Sequence, residues 1–534
     1  MKTYHLIIVL VLIAAILLAG CSSSKSAPAP AVPESAQAGD LAGLKECEYQ
    51  PGGSKIKYSA ECGTLTVPEN WDKPGSRLIA LPVVHIPASG TNPAEPVFWL
   101  MGGPGQSNLS WTPPDWLLEK HDVVLVGYRG VDSTVRLVCP ELGSLMKTHI
   151  GKDFFSQQAS EEYTAAVKKC AATYQEEGVD LSGYTIPGVI ADMEAARKAL
   201  GYERINLFSE SYGTRVAQIY AYLHPDRLHR LVLIAVNTPG HFLYNPAVLD
   251  KMIRHLSELC AQDVSCSSRT GNFAQTMYAV NHNMPKHWLL FNIDPDTIRF
   301  GTQTFFFSNP SMAMIFDIYL AAANGDPSGL AMANLMARMM FPADKMIFGD
   351  TFSKGGSADL EKYGGIESIS LGNSIMGAPW SEMIWPIESE WPIQLIPQEL
   401  RELQESDVEM LLVNGTIDFS TPPTALDEAR PYYHKAQMVL LPEFSHVGDE
   451  YTLQPKAFER LITSYYDTGV ADKSLYVYEP LSFKPGMSLV VIAKLLVAIM
   501  VLVPALLILG VVLVVRRMRR LVGAHDAHGK IKPV

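Results

Sequence analysis

Ile205-Asn206-Leu207-Phe208-Ser209-Glu210-Ser211-Tyr212-Gly213-Thr214, continued by RVAQIYAYLHPDRL over residues 215–228, decides how the chain is read. A short apolar run of strand character passes into an amphipathic helical stretch through S-x-S-x-G, one residue away from G-x-S-x-G. In that pattern small flanking residues permit a strained strand-to-helix turn that presents a serine hydroxyl, and Ser209 is small enough to stand for the first glycine. The turn also places Ser211 at a helix amino terminus, where backbone N–H groups stabilise charge developing during attack. A serine that merely caps a helix is the alternative.

A serine hydroxyl near neutral pH needs a base, and the base needs an orienting acid. Downstream, the strand-like Met410 to Val413 leads into Asn414-Gly415-Thr416-Ile417-Asp418, and Met438 to Leu441 leads into Pro442-Glu443-Phe444-Ser445-His446. Asp418 and His446 therefore each lie just past the carboxyl end of an expected strand, the edge where sites assemble in open α/β sheets. The order Ser, Asp, His is that of α/β-hydrolases. Upstream, the apolar Pro96 to Leu100 ends in Met101-Gly102-Gly103-Pro104-Gly105. Glycines let backbone approach a substrate, so an N–H of Gly102 or Gly103 is expected to join that of Tyr212 in an oxyanion hole. Neither G-K-[ST] nor a G-x-G-x-x-G helix start follows, which disfavours a phosphate cradle.

Around these motifs the chain alternates strands (77–86, 97–100, 123–126, 205–208, 231–235, 409–414, 437–441) with helical stretches (160–175, 189–200, 454–466). That rhythm implies a mostly parallel sheet flanked by helices. Residues 241–400 break it, being rich in Met, Trp and Pro with helix-like pieces around 246–260 and 312–340. The expected architecture is an α/β-hydrolase core in two parts, 46–240 and 401–470, with a helical cap, 241–400, inserted between them.

The motifs together resemble the prolyl iminopeptidase and tripeptidyl aminopeptidase branch of the α/β-hydrolases. The likeness rests on M-G-G-P-G at 101–105, D-V-V-L-V-G-Y-R-G at 122–130, S-E-S-Y-G-T at 209–214, N-G-T-I-D-F-S-T-P-P at 414–423 and C-G-T-L-T-V-P at 62–68. It covers roughly residues 45–470 and is thin across the cap. What the resemblance implies is a serine peptidase that releases residues or short peptides from free amino termini through an acyl-enzyme, without metal or cofactor. Two positions depart from the family: Met101 replaces a histidine and Gly127 an aspartate. Relatives often carry cap acids for the substrate ammonium, yet residues 368–380 contain none. Glu382, Glu388 and Glu390, flanked by Trp380, Trp385 and Trp391, are the substitutes at hand. They either bind substrate or, as solvated carboxylates and packed indoles, only build the cap. Two other readings stand beside the peptidase: a carboxylesterase or lipase-like enzyme using the same triad on a small ester, and a binding protein that keeps a hydrolase scaffold.

The termini set the compartment. The apolar residues 6–18 after Lys2 lead into Leu18-Ala19-Gly20-Cys21, a secretory leader (1–20) whose end resembles a bacterial lipobox with Cys21 lipidated. Residues 21–45, rich in Ser, Ala and Pro, are expected to be a flexible tether. From Ser488 to Val515 the chain is apolar apart from Lys494, long enough to cross a bilayer, and Lys494 near one end can snorkel. The following Arg516-Arg517-Met518-Arg519-Arg520 puts the tail, 516–534, in the cytoplasm and the hydrolase outside a bacterial cell membrane. Apart from Cys21, the cysteines number six: Cys47, Cys62, Cys139, Cys170, Cys260 and Cys266. An even set outside the cytoplasm reads as disulfides, and sequence proximity favours 47 with 62, 139 with 170, and 260 with 266 among fifteen pairings. None has zinc-site spacing. With a net charge of −12 over 534 residues, nothing electrostatic recommends nucleic acid as a partner. The partners expected are a short peptide or small ester, and membrane lipid through Cys21 and the C-terminal helix.

Overall fold

Residues 29–360, 366–388 and 390–528 are described in the computed structural model; the expected leader and Cys21 lie outside them. The strands are β1 (Leu41–Tyr49), β2 (Tyr58–Pro68), β3 (Leu78–Ile86), β4 (Ala94–Leu100), β5 (His121–Val126), β6 (Ile205–Glu210), β7 (Leu228–Ile234), β8 (His287–Trp288), β9 (Phe291–Asn292), β10 (Glu409–Gly415) and β11 (Ala436–Leu441). Nine of them form one sheet in the order β1-β2-β3-β5-β4-β6-β7-β10-β11. From β5 to β11 every neighbour is parallel, whereas β1, β2 and β3 add on antiparallel. This is the α/β-hydrolase fold expected from the sequence. The strand from Leu41 was not: residues 41–45, expected as tether, pair with β2, Leu41 lying opposite Leu65.

The parallel strands read as continuous apolar runs because both faces are covered. Phe98, Leu100, Leu207, Leu231, Leu233, Met410 and Leu412 enter one core. Their neighbours Val97, Trp99, Phe208, Val232, Ile234, Leu411 and Val413 enter the other.

The inserted segment carries helices Pro246–Gln262, Phe273–His282, Pro295–Phe305, Asn309–Ala323, Ser328–Met340 and Pro379–Glu388. The helical stretch expected over 312–340 is thus two helices, interrupted at Asn324-Gly325-Asp326-Pro327, where Gly325 takes φ +84°. Helices Pro140–His149 and Gln157–Glu176, between β5 and β6, share a core with Phe348, Phe352, Met383 and Trp391 of the cap. The helices between β5 and β6 thus pack in one core with residues of the segment between β7 and β10. The disulfides are Cys47–Cys62, Cys139–Cys170 and Cys260–Cys266, with Cα separations of 5.8, 5.7 and 5.2 Å.

The chain ends in helix Leu489–His528, whose stretch Leu489–Arg519 is, among the described residues, long and apolar enough to cross a membrane. Its first turn belongs to the cap: Leu489 and Ala493 are buried there, and Ser488 Oγ donates to Asp317. Lys494 does not simply snorkel; its Nζ lies 2.5 Å from Asp326 at the helix interruption.

Candidate active site

Strand β6 ends at Glu210, and Ser211 adopts φ 49°, ψ −124°, a conformation that costs a non-glycine residue free energy and persists only where surrounding structure imposes it. The imposition is visible. Ser211 N donates to Ile234 O of β7 at 2.9 Å, and Ser211 O accepts from Thr214 N and, at 2.6 Å, from Thr214 Oγ1. Ser209, in the place of the first motif glycine, is fully buried with its hydroxyl on Val232 O at 3.0 Å. Because Leu100 sits opposite Ser209 in the β4–β6 ladder, the glycine turn after β4 passes directly over the serine. A methyl group on Gly102 would come within 2.7 Å of Ser211 Cβ, and one on Gly213 within 2.2 Å of Leu100 O, so neither position admits a side chain.

His446, in the loop after β11, reaches both partners: Nε2 is 3.0 Å from Ser211 Oγ and Nδ1 is 2.9 Å from Asp418 Oδ2. Asp418, fully buried after β10, is oriented by three further donors. Its Oδ1 accepts from Ser420 N (2.8 Å) and Thr421 N (2.9 Å), and its Oδ2 from Thr421 Oγ1 at 2.6 Å. The cap steadies the histidine loop, since His446 N donates to Phe307 O, Ser445 Oγ to Phe306 O, and Asn309 Nδ2 to Glu443 O. The structure thus brings together the serine, histidine and aspartate that the sequence singled out across 235 and 28 residues.

Burial disfavours the imidazolium of His446, but the Asp418 carboxylate, helped by Glu210 and Asp449, outweighs it and raises the pKa above the ordinary histidine value. Glu210 is itself pushed up to about 7 by burial, although the His446 imidazole draws it down. Glu450, fully buried, is held well above the usual range by desolvation and by the charges of Asp418, Asp449 and Glu210. Sequence reading missed these acids because nothing in S-E-S or in H-V-G-D-E marks a carboxyl for burial.

Tyr212 opens helix Tyr212–Leu223, and the first amides of a helix lack intrahelical acceptors. Gly102 and Gly103 lie alongside, Gly103 at φ +64°. These are the positions expected for oxyanion donors. The cap residues divide differently. Trp380 Nε1 donates to Thr304 Oγ1, and its ring packs on Phe307, which in turn stands 5.7 Å from the His446 ring. Phe307 and Tyr244, whose hydroxyl is 3.2 Å from Ser420 Oγ, are site neighbours that the sequence did not announce; the run Phe305-Phe306-Phe307 was the available signal.

For Glu382 the structure requires a correction. Its two oxygens lie 2.6 and 3.0 Å from the buried Arg299 guanidinium, so the carboxylate expected to meet a substrate ammonium already neutralises a cation inside the cap. Glu390 is partly exposed, 3.9 Å from Lys168. Trp391 is buried with its indole N–H on Ser353 Oγ, a packing residue. The side chains of Trp385 and Glu388 lie outside the described residues.

A family model described as the alpha/beta hydrolase fold matches residues 95–258. Over 195 residues the chain is 28% identical to a tripeptidyl aminopeptidase of Streptomyces lividans, a stretch covering 34% of this chain and 36% of that protein. Over 202 residues it is 27% identical to the serine protease Hip1 of Mycobacterium bovis, covering 35% of this chain and 38% of that one. The matched stretch thus spans little more than a third of the length of these curated relatives. Among solved structures, a serine hydrolase from Cycloclasticus zankles aligns at 13% identity and a TM-score of 0.35, covering 80% of this chain and 100% of that one.

Proposed function

We propose that this chain, an α/β-hydrolase, is a membrane-anchored serine exopeptidase that releases residues or short peptides from free amino termini outside the cell. Ser211 attacks the scissile carbonyl while His446 takes its proton and later delivers it to the departing amine. Asp418 fixes the imidazole tautomer and stabilises the imidazolium. The amides of Gly103, or Gly102, and Tyr212 hold the oxyanion, and water then releases the acyl group from Ser211 through the same base. The observation that carries this reading is the unbroken hydrogen-bonded chain from Ser211 Oγ through His446 to Asp418, at 3.0 and 2.9 Å, on a strained elbow. The relatives named as peptidases favour a peptide substrate. An apolar helix followed by Arg516, Arg517 and Arg519, together with three disulfides, favours an outward-facing domain. Lipidation at Cys21 would add a second anchor.

One observation favours the ester reading instead: with Glu382 paired to Arg299, this candidate acid is not free for an ammonium group. The detergent-solubilised full chain decides between them. Peptide arylamides with free amino termini should be cleaved in preference to blocked ones and to short acyl esters, and turnover of esters alone would remove the peptidase. A fluorophosphonate should label the wild-type chain and not Ser211→Ala; equal labelling of both would remove the mechanism.

A further inference from the structure

The glycine turn that carries the expected oxyanion amides is held at both ends by side chains that take no part in the triad. At its start, Met101 N donates to Asn108 Oδ1 at 2.7 Å, and Asn108 is fixed by Asp132, which accepts from Asn108 N and Ser107 Oγ. At its other end the partner is the cap. Gly105 N donates to Asp350 Oδ2 at 2.8 Å, and Thr351 Oγ1 donates to Pro104 O at 3.0 Å. Asp350 and Thr351 lead into a π-helical turn, Phe352–Gly356, an irregularity that tends to occur where a side chain has a task. Within that turn Lys354 is fully buried, with Nζ 2.5 Å from Asp350 Oδ1 and 3.0 Å from Arg129 O, over the face of Tyr128. Tyr128 closes the circuit by donating its hydroxyl to Met101 O.

Two glycines of the sequence motifs make this contact possible. A methyl group at Gly130, the last residue of Y-R-G, would lie 2.6 Å from Asp350 Oδ1, and one at Gly105 would lie 2.9 Å from Ile347 O. Both also take positive φ, +80° and +88°. Neither glycine has a place in the triad chemistry; the space beside Gly130 is taken by Asp350 together with Tyr184 and Leu137, and that beside Gly105 by Ile347 O and Thr351 Oγ1.

We infer that Asp350, with Thr351 beside it, is a positioning residue for the oxyanion hole: the cap reaches down and sets the height of the Gly102–Gly105 backbone over Ser211. The inference rests on the mechanism proposed above and deepens it. An isolated aspartate at such a depth would be costly, and Lys354 supplies a counter-charge 2.5 Å from its other oxygen while Oδ2 faces Gly105 N. A displacement of this backbone by about 1 Å is enough to lower turnover roughly a hundredfold.

The test removes the charge from both variants and sets a side chain that keeps the acceptor against one that lacks it. In the full chain, Asp350→Asn/Lys354→Met keeps an oxygen for Gly105 N, whereas Asp350→Ala/Lys354→Met does not. The first should react with a fluorophosphonate and turn over substrate close to the wild-type rate. The second should lose about a hundredfold in kcat and in labelling rate, with KM and the pH midpoint of the rate nearly unchanged, because His446 and the binding surface are untouched. Equal rates for the two would overturn the inference while Ser211-dependent labelling of the wild type kept the triad standing; a wild type that did not label would remove both. Should the alanine variant fail to fold, Thr351→Val removes the bond to Pro104 O with little change of volume. It should slow labelling several-fold, and a wild-type rate would count against the inference.

Discussion

At the carboxyl edge of the sheet the polar side chains point at one another across the place where a substrate would sit, whereas the cap keeps its charges for itself. Ser211 and Asp418 meet through the two ring nitrogens of His446. In the cap, Arg299 takes up Glu382, and Lys354 takes up Asp350. What the cap turns toward His446 is aromatic: Phe307, backed by Tyr244 and Trp380. The difference follows from where each region finds water. At the sheet edge Ser211 and His446 stay partly exposed, while Asp418 is buried behind the imidazole that it orients. A helical layer packed on that edge excludes water, and an unpaired charge inside it would be expensive, so Arg299 is met by Glu382 and Asp296, and Lys354 by Asp350. On the proposed reading the sheet edge supplies the chemistry and the cap the shape.

The comparison can be broken most forcefully at the edge. Asp418→Asn should lower kcat by about four orders of magnitude with little change in the folded structure, since it leaves the geometry but destabilises the required tautomer and the imidazolium. Steady-state kinetics read this; a loss of tenfold or less would place Asp418 outside the chemistry. In the cap the corresponding change should act on folding. Glu382→Gln leaves Arg299 with Asp296 as its remaining carboxylate and should cost about 1–3 kcal/mol in denaturant unfolding. The ratio of kcat/KM for free and blocked amino termini should not move. If that ratio collapsed while stability held, the cap carboxylate would face substrate after all, and the contrast between the regions would fail.

The smallest expected effect lies between the regions, in pH. In the proposed mechanism the imidazole acts in its neutral form, so the rate should rise with pH through the pKa of His446, which stands above the ordinary value because Asp418 and then Glu210 favour the protonated ring. Replacing Glu210 with Gln removes one of these charges. The imidazolium is then less favoured, and the rising limb of kcat/KM should move toward lower pH. A limb that stayed in place or moved upward would mean that Glu210 is uncharged at working pH.

Much of the site was legible because each triad residue follows its own strand by a few positions, and the strands announce themselves by short apolar runs. S-x-S-x-G, N-G-T-I-D and F-S-H each pair such a run with a turn, so local backbone preference already puts Ser211, Asp418 and His446 on one edge of one sheet. The same reasoning reached the disulfides, whose partners lie 15, 31 and 6 residues apart. It did not reach β1, whose Ser- and Ala-rich approach read as tether until β2 offered it a hydrogen-bonding edge.

The amino-acid sequence by itself determined the alternation of strands and helices, the turn that exposes Ser211 and the order of its partners, because those depend on neighbours a few residues away. Only the tertiary structure decided which charges were free. Glu382 meets Arg299 across 83 residues, and Asp350 meets Gly105 across 245. Such pairings are fixed by long-range packing: once two elements exclude water between them, each buried charge must take the partner that the packing brings within reach.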